Sequence, residues 1–283
     1  MHKNYCISGT YYENPLDEYS QASLYPNFQE KYDEFKNLLI NNINNKIPTS
    51  FYKFGDGDFY FLKKQKIGSA KPGKRALRKP YWLIDHKVFI EESKKNDYYM
   101  CEIFSANRKK FETIFEREID FPAEYGYASI ANKWLLNQFS GNIGVIGGKE
   151  KIELIFELMK YPEYQDYLGL DRFEDYLTIP QKYACDNLAK TTKNLQKQID
   201  SSSAGIFLLG VGHVKSGLLS KLRRKNDAVF LDIGSGIDAL AGIIDVQRPY
   251  FGDWTNYKIK NINLYSGIDY LKYYGKGKEI TLN

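Results

Sequence analysis

Cysteine and histidine are both scarce, with three of each in 283 residues. Cys6, Cys101 and Cys185 are odd in number and far apart, which speaks against a disulfide framework and against a cysteine-based zinc site. No apolar run approaches the roughly 20 residues that a membrane helix needs, and the longest have the length of single strands. The opening MHKNYCISGTYY lacks the apolar core of a secretion signal. A cytoplasmic location is therefore expected, with no transmembrane segment and at most peripheral membrane contact. A large charge of one sign is also missing. Forty Lys and Arg against 35 Asp and Glu leave +5, which suits a small polyanion such as a nucleotide diphosphate and does not call for nucleic acid.

Aromatics are abundant, with 24 Tyr and 17 Phe. Tyrosine joins apolar area to a hydroxyl, so it serves cores and sugar-facing surfaces equally well. Its frequency, with that of Lys, Asn and Ile, is also what a nucleotide-composition bias produces. The 43% hydrophobic and 27% charged content is that of an ordinary globular chain with a sizeable core. No repeat or composition shift divides it, so one domain over residues 1–283 is expected, with an N-terminal arm over about 1–25.

Tyr32, Phe35, Leu38, Leu39 and Ile43 recur at helical spacing, and Pro48 closes that helix. A buried strand over 51–54 follows, and then a basic, Gly/Pro-containing segment over 63–79, expected to be a loop. Further on, strands are expected over 98–104, 143–146, 206–209 and 228–231. Helices are expected over 85–95, 107–117, 127–139, up to 160, 181–198, 214–224 and up to 244, with 161–180 irregular or in short helical turns. Strand, glycine turn and helix in repetition specify an α/β fold with a mostly parallel sheet and helices on both faces.

In such a sheet, ligands bind at the carboxyl ends of the strands. At the end of the first strand stands Gly55-Asp56-Gly57-Asp58. Two carboxylates there repel one another, and burial disfavours their charge unless a cation is near. On an extended backbone Asp56 and Asp58 project to one side and could converge on Mg²⁺ or Mn²⁺, hard ions that take oxygen ligands. The plainer reading is a solvated Asp-Gly turn. Gly147-Gly148-Lys149 and Gly210-Val211-Gly212-His213-Val214-Lys215 both place glycines where backbone N–H groups can approach a phosphate, though glycine there also serves tight strand–helix packing. Neither is a P-loop. Asp232-Ile233-Gly234-Ser235-Gly236 looks like the nucleotide turn of methyltransferases. In those enzymes that turn follows the first strand, whereas only 47 residues remain after Gly236 here.

Phe54-Gly55-Asp56-Gly57-Asp58 resembles the Arg-Phe-Gly-Asp-Gly-Glu turn of the GT-D-type glycosyltransferases, and the late Leu208-Leu209-Gly210 and Phe230-Leu231-Asp232-Ile233-Gly234 segments resemble that family's C-terminal half. The order and separation of the two blocks also agree. The resemblance covers about residues 50–244, and only the two blocks are specific. Lys53 stands where the family often has arginine, and Asp58 replaces glutamate.

The resemblance implies a single Rossmann-like domain and a nucleotide-sugar donor, expected to be a UDP-sugar. It also implies Mn²⁺ or Mg²⁺ on Asp56 and Asp58, and a glycan acceptor. Gly55, Gly57, Gly210, Gly212, Lys215 and Gly234 are the expected donor contacts. Asp232, His213 and Asp238, in that order, are the candidates for the base that deprotonates the acceptor. For Asp232, a turn-capping role competes with catalysis. The alternatives are an S-adenosylmethionine-dependent methyltransferase and a non-catalytic glycan-binding protein.

Overall fold

The computed structural model describes residues 28–55, 58, 86–102, 105, 107–131, 133–180, 187–212, 219–223 and 227–241. Helix α1 (Phe28–Asn44) buries Tyr32, Phe35, Leu39 and Ile43, the stripe set by their spacing. It delivers the chain to strand β1 (Thr49–Lys53), every residue of which is buried. Then come α2 (His86–Ser93), β2 (Tyr98–Cys101), α3 (Arg108–Phe115), β3 (Phe121–Pro122), α4 (Ala123–Ala131) and α5 (Trp134–Gln138). The second half contains β4 (Ile143–Gly148), α6 (Lys149–Leu158), α7 (Pro162–Leu168), β5 (Asp175–Ile179) and α8 (Leu188–Asp200). It closes with β6 (Ile206–Gly210), α9 (Leu219–Arg223), β7 (Val229–Asp232) and α10 (Gly236–Leu240).

The strands form one seven-stranded sheet in the order β3-β2-β1-β7-β6-β4-β5. Every pairing is parallel. The expected α/β, Rossmann-like architecture is therefore observed, with a sheet that is wholly parallel among the described residues. Such a sheet needs apolar cover on both faces. On the first face lie α1, α4, α6 and α10, around Phe35, Phe51, Tyr125, Leu154 and Ile237. On the second lie α3, α8 and α9, around Phe54, Phe111, Leu195 and Leu222.

Crossovers that step toward the β3 edge carry their helices on the second face, and those that step toward β5 carry them on the first. That is one hand throughout, as the chirality of parallel crossovers requires. One consequence positions the site. The chain leaves β7 and β4 toward the first face, but it leaves β6 toward the second. Neighbouring strands that diverge in this way open a crevice at their carboxyl ends.

Three local differences from the sequence reading have physical causes. The segment 161–180, expected to be irregular or in short helical turns, contains the short helix α7 but also β5, an edge strand with only two of five residues buried, so its apolar signal is thin. The helix expected over 127–139 is two helices, broken at Lys133, whose φ is +64°. Residues 121–122 form a two-residue edge strand, too short to show periodicity. Among the described residues no helix is long and apolar enough to cross a membrane.

Gly210, the last residue of β6, packs against α10. A Cβ there would lie 2.1 Å from Ile237 Cγ2 and 2.8 Å from the Gly234 carbonyl oxygen. Backbone and a β-branched core side chain yield little. Gly210→Ala is therefore expected to lose about 1–3 kcal/mol, as overpacked cores do. It should appear as a lower urea midpoint at unchanged slope. An unaltered midpoint would mean that this junction is looser than described.

Candidate functional site

The carboxyl edge of the sheet centre is built from the ends of β1, β2 and β7. Asp232, the last residue of β7, is 2% exposed. Its Oδ2 accepts the Lys53 backbone N–H at 3.2 Å, and its Oδ1 accepts the Gly234 N–H at 2.9 Å. The carboxylate thus fastens the end of β1 to the turn after β7, joining residues 179 apart in sequence. Gly234 turns with φ +49°, and a Cβ there would meet the Lys53 side chain at 3.4 Å. Of the two readings of Asp232, this geometry supplies the turn-holding one.

Asp58 is likewise 2% exposed. Its Oδ1 accepts the Tyr52 hydroxyl at 2.9 Å, and its Oδ2 accepts the Gly55 N–H at 2.8 Å. Its own N–H returns a bond to the Gly55 carbonyl at 2.9 Å. A side chain reaching back three residues to a backbone N–H is one half of a capping box, which starts a helix. Phe54 anchors the turn from below, stacked on Phe111 with centroids 4.5 Å apart and packed on Phe115 at 4.8 Å.

Lys53 is the third element. β1 alternates, with Tyr52 and Phe54 on the second face, so Lys53 projects from the first. Its residue is 7% exposed, and its Nζ pairs with Glu102 Oε1 at 3.4 Å. The ammonium lies 5.5 Å from the centroid of the Tyr127 ring. The Tyr127 hydroxyl in turn donates to Glu102 Oε1 at 3.4 Å. Glu102 directly follows β2, and its side chain is 35% exposed. The sequence reading noted Lys53 only as a departure from the family turn and passed over Glu102. Its position, one residue past an apolar strand of a parallel sheet, was the signal available for it.

Among the remaining expected residues, Gly210 serves the close packing of β6 on α10, while Gly212 is exposed with φ +57° and open space around it. Asp238, in the first turn of α10, is paired with Lys151 of α6. Gly147 packs its backbone against Ile152 and Ile237, and Lys149 pairs along its own helix with Glu153 at 3.6 Å. Asp56, Gly57, His213, Lys215, the basic segment 63–79 and the arm 1–25 lie outside the described residues.

The fit of a divalent metal is decided by Asp58. Both of its oxygens are engaged by Tyr52 and Gly55, and the residue is buried. Among the described residues no group of three or more His, Cys, Asp or Glu converges as a metal centre does. Asp58 fits a turn-holding carboxylate better than a direct ligand, so the expectation of a metal rests on Asp56. No protein-family model, curated protein or solved structure matches this chain.

Two measurements check this description. Asp232→Ala leaves the buried Lys53 N–H and the part-buried Gly234 N–H without their acceptor and is expected to cost about 2–4 kcal/mol. A loss below about 0.5 kcal/mol in chemical denaturation would remove the clasp between β1 and β7. Cys101, beside Glu102, is buried, and burial pushes its thiol up to about 11. At pH 8 it is therefore protonated and shielded. In a Cys6→Ser/Cys185→Ser variant it should react with a thiol reagent only as fast as the protein unfolds. Prompt labelling of the folded protein would contradict this.

Proposed function

We propose that this protein is a glycosyltransferase that takes a nucleotide-diphosphate-sugar donor, a UDP-sugar, and transfers the sugar to a hydroxyl of a glycan acceptor. One observation carries the reading. The two segments that resemble the GT-D-type enzymes, at Phe54–Asp58 and Phe230–Gly234, lie far apart in sequence. The first directly follows β1 and the second spans the end of β7; these are adjacent parallel strands, on which the Asp232 carboxylate binds the Lys53 N–H and Lys53 reaches the Gly234 turn. That meeting place is the carboxyl edge beside a crevice, where open α/β sheets bind nucleotides.

Breaking the sugar–phosphate bond leaves charge on the departing diphosphate, and a site of this kind must stabilise it. Asp58 and Asp232 set the shape of the two turns, and Lys53 supplies a fixed positive charge between them. A divalent ion, when bound, neutralises leaving-group charge, and Asp56 is the residue assigned to hold it. With Asp232 bonded to backbone and Asp238 paired with Lys151, the removal of the acceptor proton is assigned to His213, which follows the β6 turn. The methyltransferase alternative gains no support, since its signature turn follows β7, the last described strand in sequence.

Thermal melting tests the proposal. UDP at about 100 times its dissociation constant should stabilise the fold by roughly 2.7 kcal/mol, a shift of about 5–10 °C in a domain of this size. The shift should require Mn²⁺ and be lost in Asp56→Ala. Stabilisation by S-adenosylmethionine alone would replace the proposal with methyl transfer, and silence from both ligands would replace it with glycan binding.

A further inference from the structure

We infer that Lys53 and Glu102 form a counter-ion exchange site. The Lys53 ammonium is the cation that receives a phosphate-bearing anion, and Glu102 holds its place until the anion arrives. A nearly buried lysine needs a negative partner, because an isolated ammonium in apolar surroundings gives up its charge. Glu102 is such a partner, at 3.4 Å. It differs from the other carboxylates at this edge. Asp232 is fixed to two backbone N–H groups and Asp58 to a hydroxyl and an N–H, and both are 2% exposed. The Glu102 side chain is 35% exposed, and one of its contacts, the Tyr127 hydroxyl at 3.4 Å, is long. Among the described carboxylates at this edge it is thus the one most open to solvent.

The ammonium itself is well placed. It lies over the Tyr127 ring, 5.5 Å from the centroid, a cation–π contact that helps to hold it in place. On its flanks stand Gly55 and Gly234, where a Cβ would come within 4.0 Å and 3.4 Å of Nζ. Glycine at both positions adds no side chain of its own beside the ammonium. A phosphate oxygen can then take up the charge-assisted contact that Glu102 makes in its absence. Because the two compete, neutralising Glu102 should tighten anion binding, which a merely structural ion pair would not do.

The anion's class, a phosphate or diphosphate, follows from this pair. Only its identification with a sugar donor rests on the function proposed above. The test therefore uses inorganic pyrophosphate, and separately UDP with Mn²⁺ present, titrated by calorimetry into the wild type, Lys53→Met, Lys53→Arg and Glu102→Gln. Methionine preserves the stem and removes the charge. Pyrophosphate should bind Lys53→Met roughly tenfold more weakly and Glu102→Gln about threefold more tightly, with Lys53→Arg near the wild type. Weaker binding in Glu102→Gln, or unchanged binding in Lys53→Met, overturns the exchange site. Should Lys53→Met fail to fold, the direction of change in Glu102→Gln decides alone. If pyrophosphate obeys these rules while UDP binds no better than pyrophosphate, the exchange site stands and the UDP-sugar reading falls. If UDP binds the wild type and Lys53→Met alike, the inference falls and the donor reading survives. No binding of either anion overturns both.

Discussion

The Asp232 carboxylate is the contact on which the sheet centre depends. A parallel ladder ends abruptly at its carboxyl edge, where the last N–H groups lose their strand partners and must find others. Asp232 supplies them from within the sheet, accepting one N–H from the neighbouring strand and one from its own following turn. It thereby fixes where β1 ends relative to β7. Everything at the edge inherits that register: the height of Lys53, the start of the Gly55 turn, and the closeness of Gly234 to the lysine stem. An amide or hydroxyl could accept one of the two bonds, but a carboxylate accepts both without offering an unwanted donor.

Tyrosine gives the interior a second organising device. Tyr52, Tyr99, Tyr125, Tyr127 and Tyr164 rank among the largest fully buried side chains. Several of their hydroxyls reach across elements: Tyr52 to Asp58, Tyr99 to the Ser93 carbonyl, and Tyr164 to the Leu240 carbonyl. Each ring fills core volume while its tip satisfies a polar group that would otherwise be stranded between layers. The abundance of tyrosine is, in the described core, a matter of stitching helices to strands. Burial pushes the Tyr99 phenol up to about 12, with Asp120 adding to the rise and Arg117 opposing it. Tyr99 therefore remains a neutral donor across the physiological range.

The central strands and their helices were legible because their residues are buried on every side, and continuous apolar runs such as Ile143–Ile146 and Ile206–Leu209 admit few other readings. The elements that were not legible lie at the edges or at a break in a helix. β5 exposes part of its length, β3 is two residues long, and the α4–α5 break depends on one residue, Lys133, held at positive φ by its surroundings. At the site, the sequence identified Asp58 and Asp232 as carboxylates at strand ends, but the atoms they bind are set by register between distant strands. The pairing of Glu102 was not legible for the same reason. Its partner Lys53 lies 49 positions earlier, and only the parallel pairing of β1 with β2 brings them side by side.

A cation at that edge is consistent with the density of acid around it. Asp58, Glu102 and Asp232 stand at the ends of three neighbouring strands, and carboxylates this close raise one another's energy unless positive charge or N–H dipoles intervene. Two are quieted by backbone and hydroxyl donors. Two of those donors, the Gly55 and Gly234 N–H groups, lie in the turns, so the turns cannot move without uncovering a buried charge. The third is balanced by Lys53, and that balance alone involves a partly exposed side chain able to change partners. Rigidity and responsiveness at one edge thus come from how each carboxylate is satisfied: by fixed dipoles where shape must be kept, and by a mobile ion pair where a ligand must be admitted.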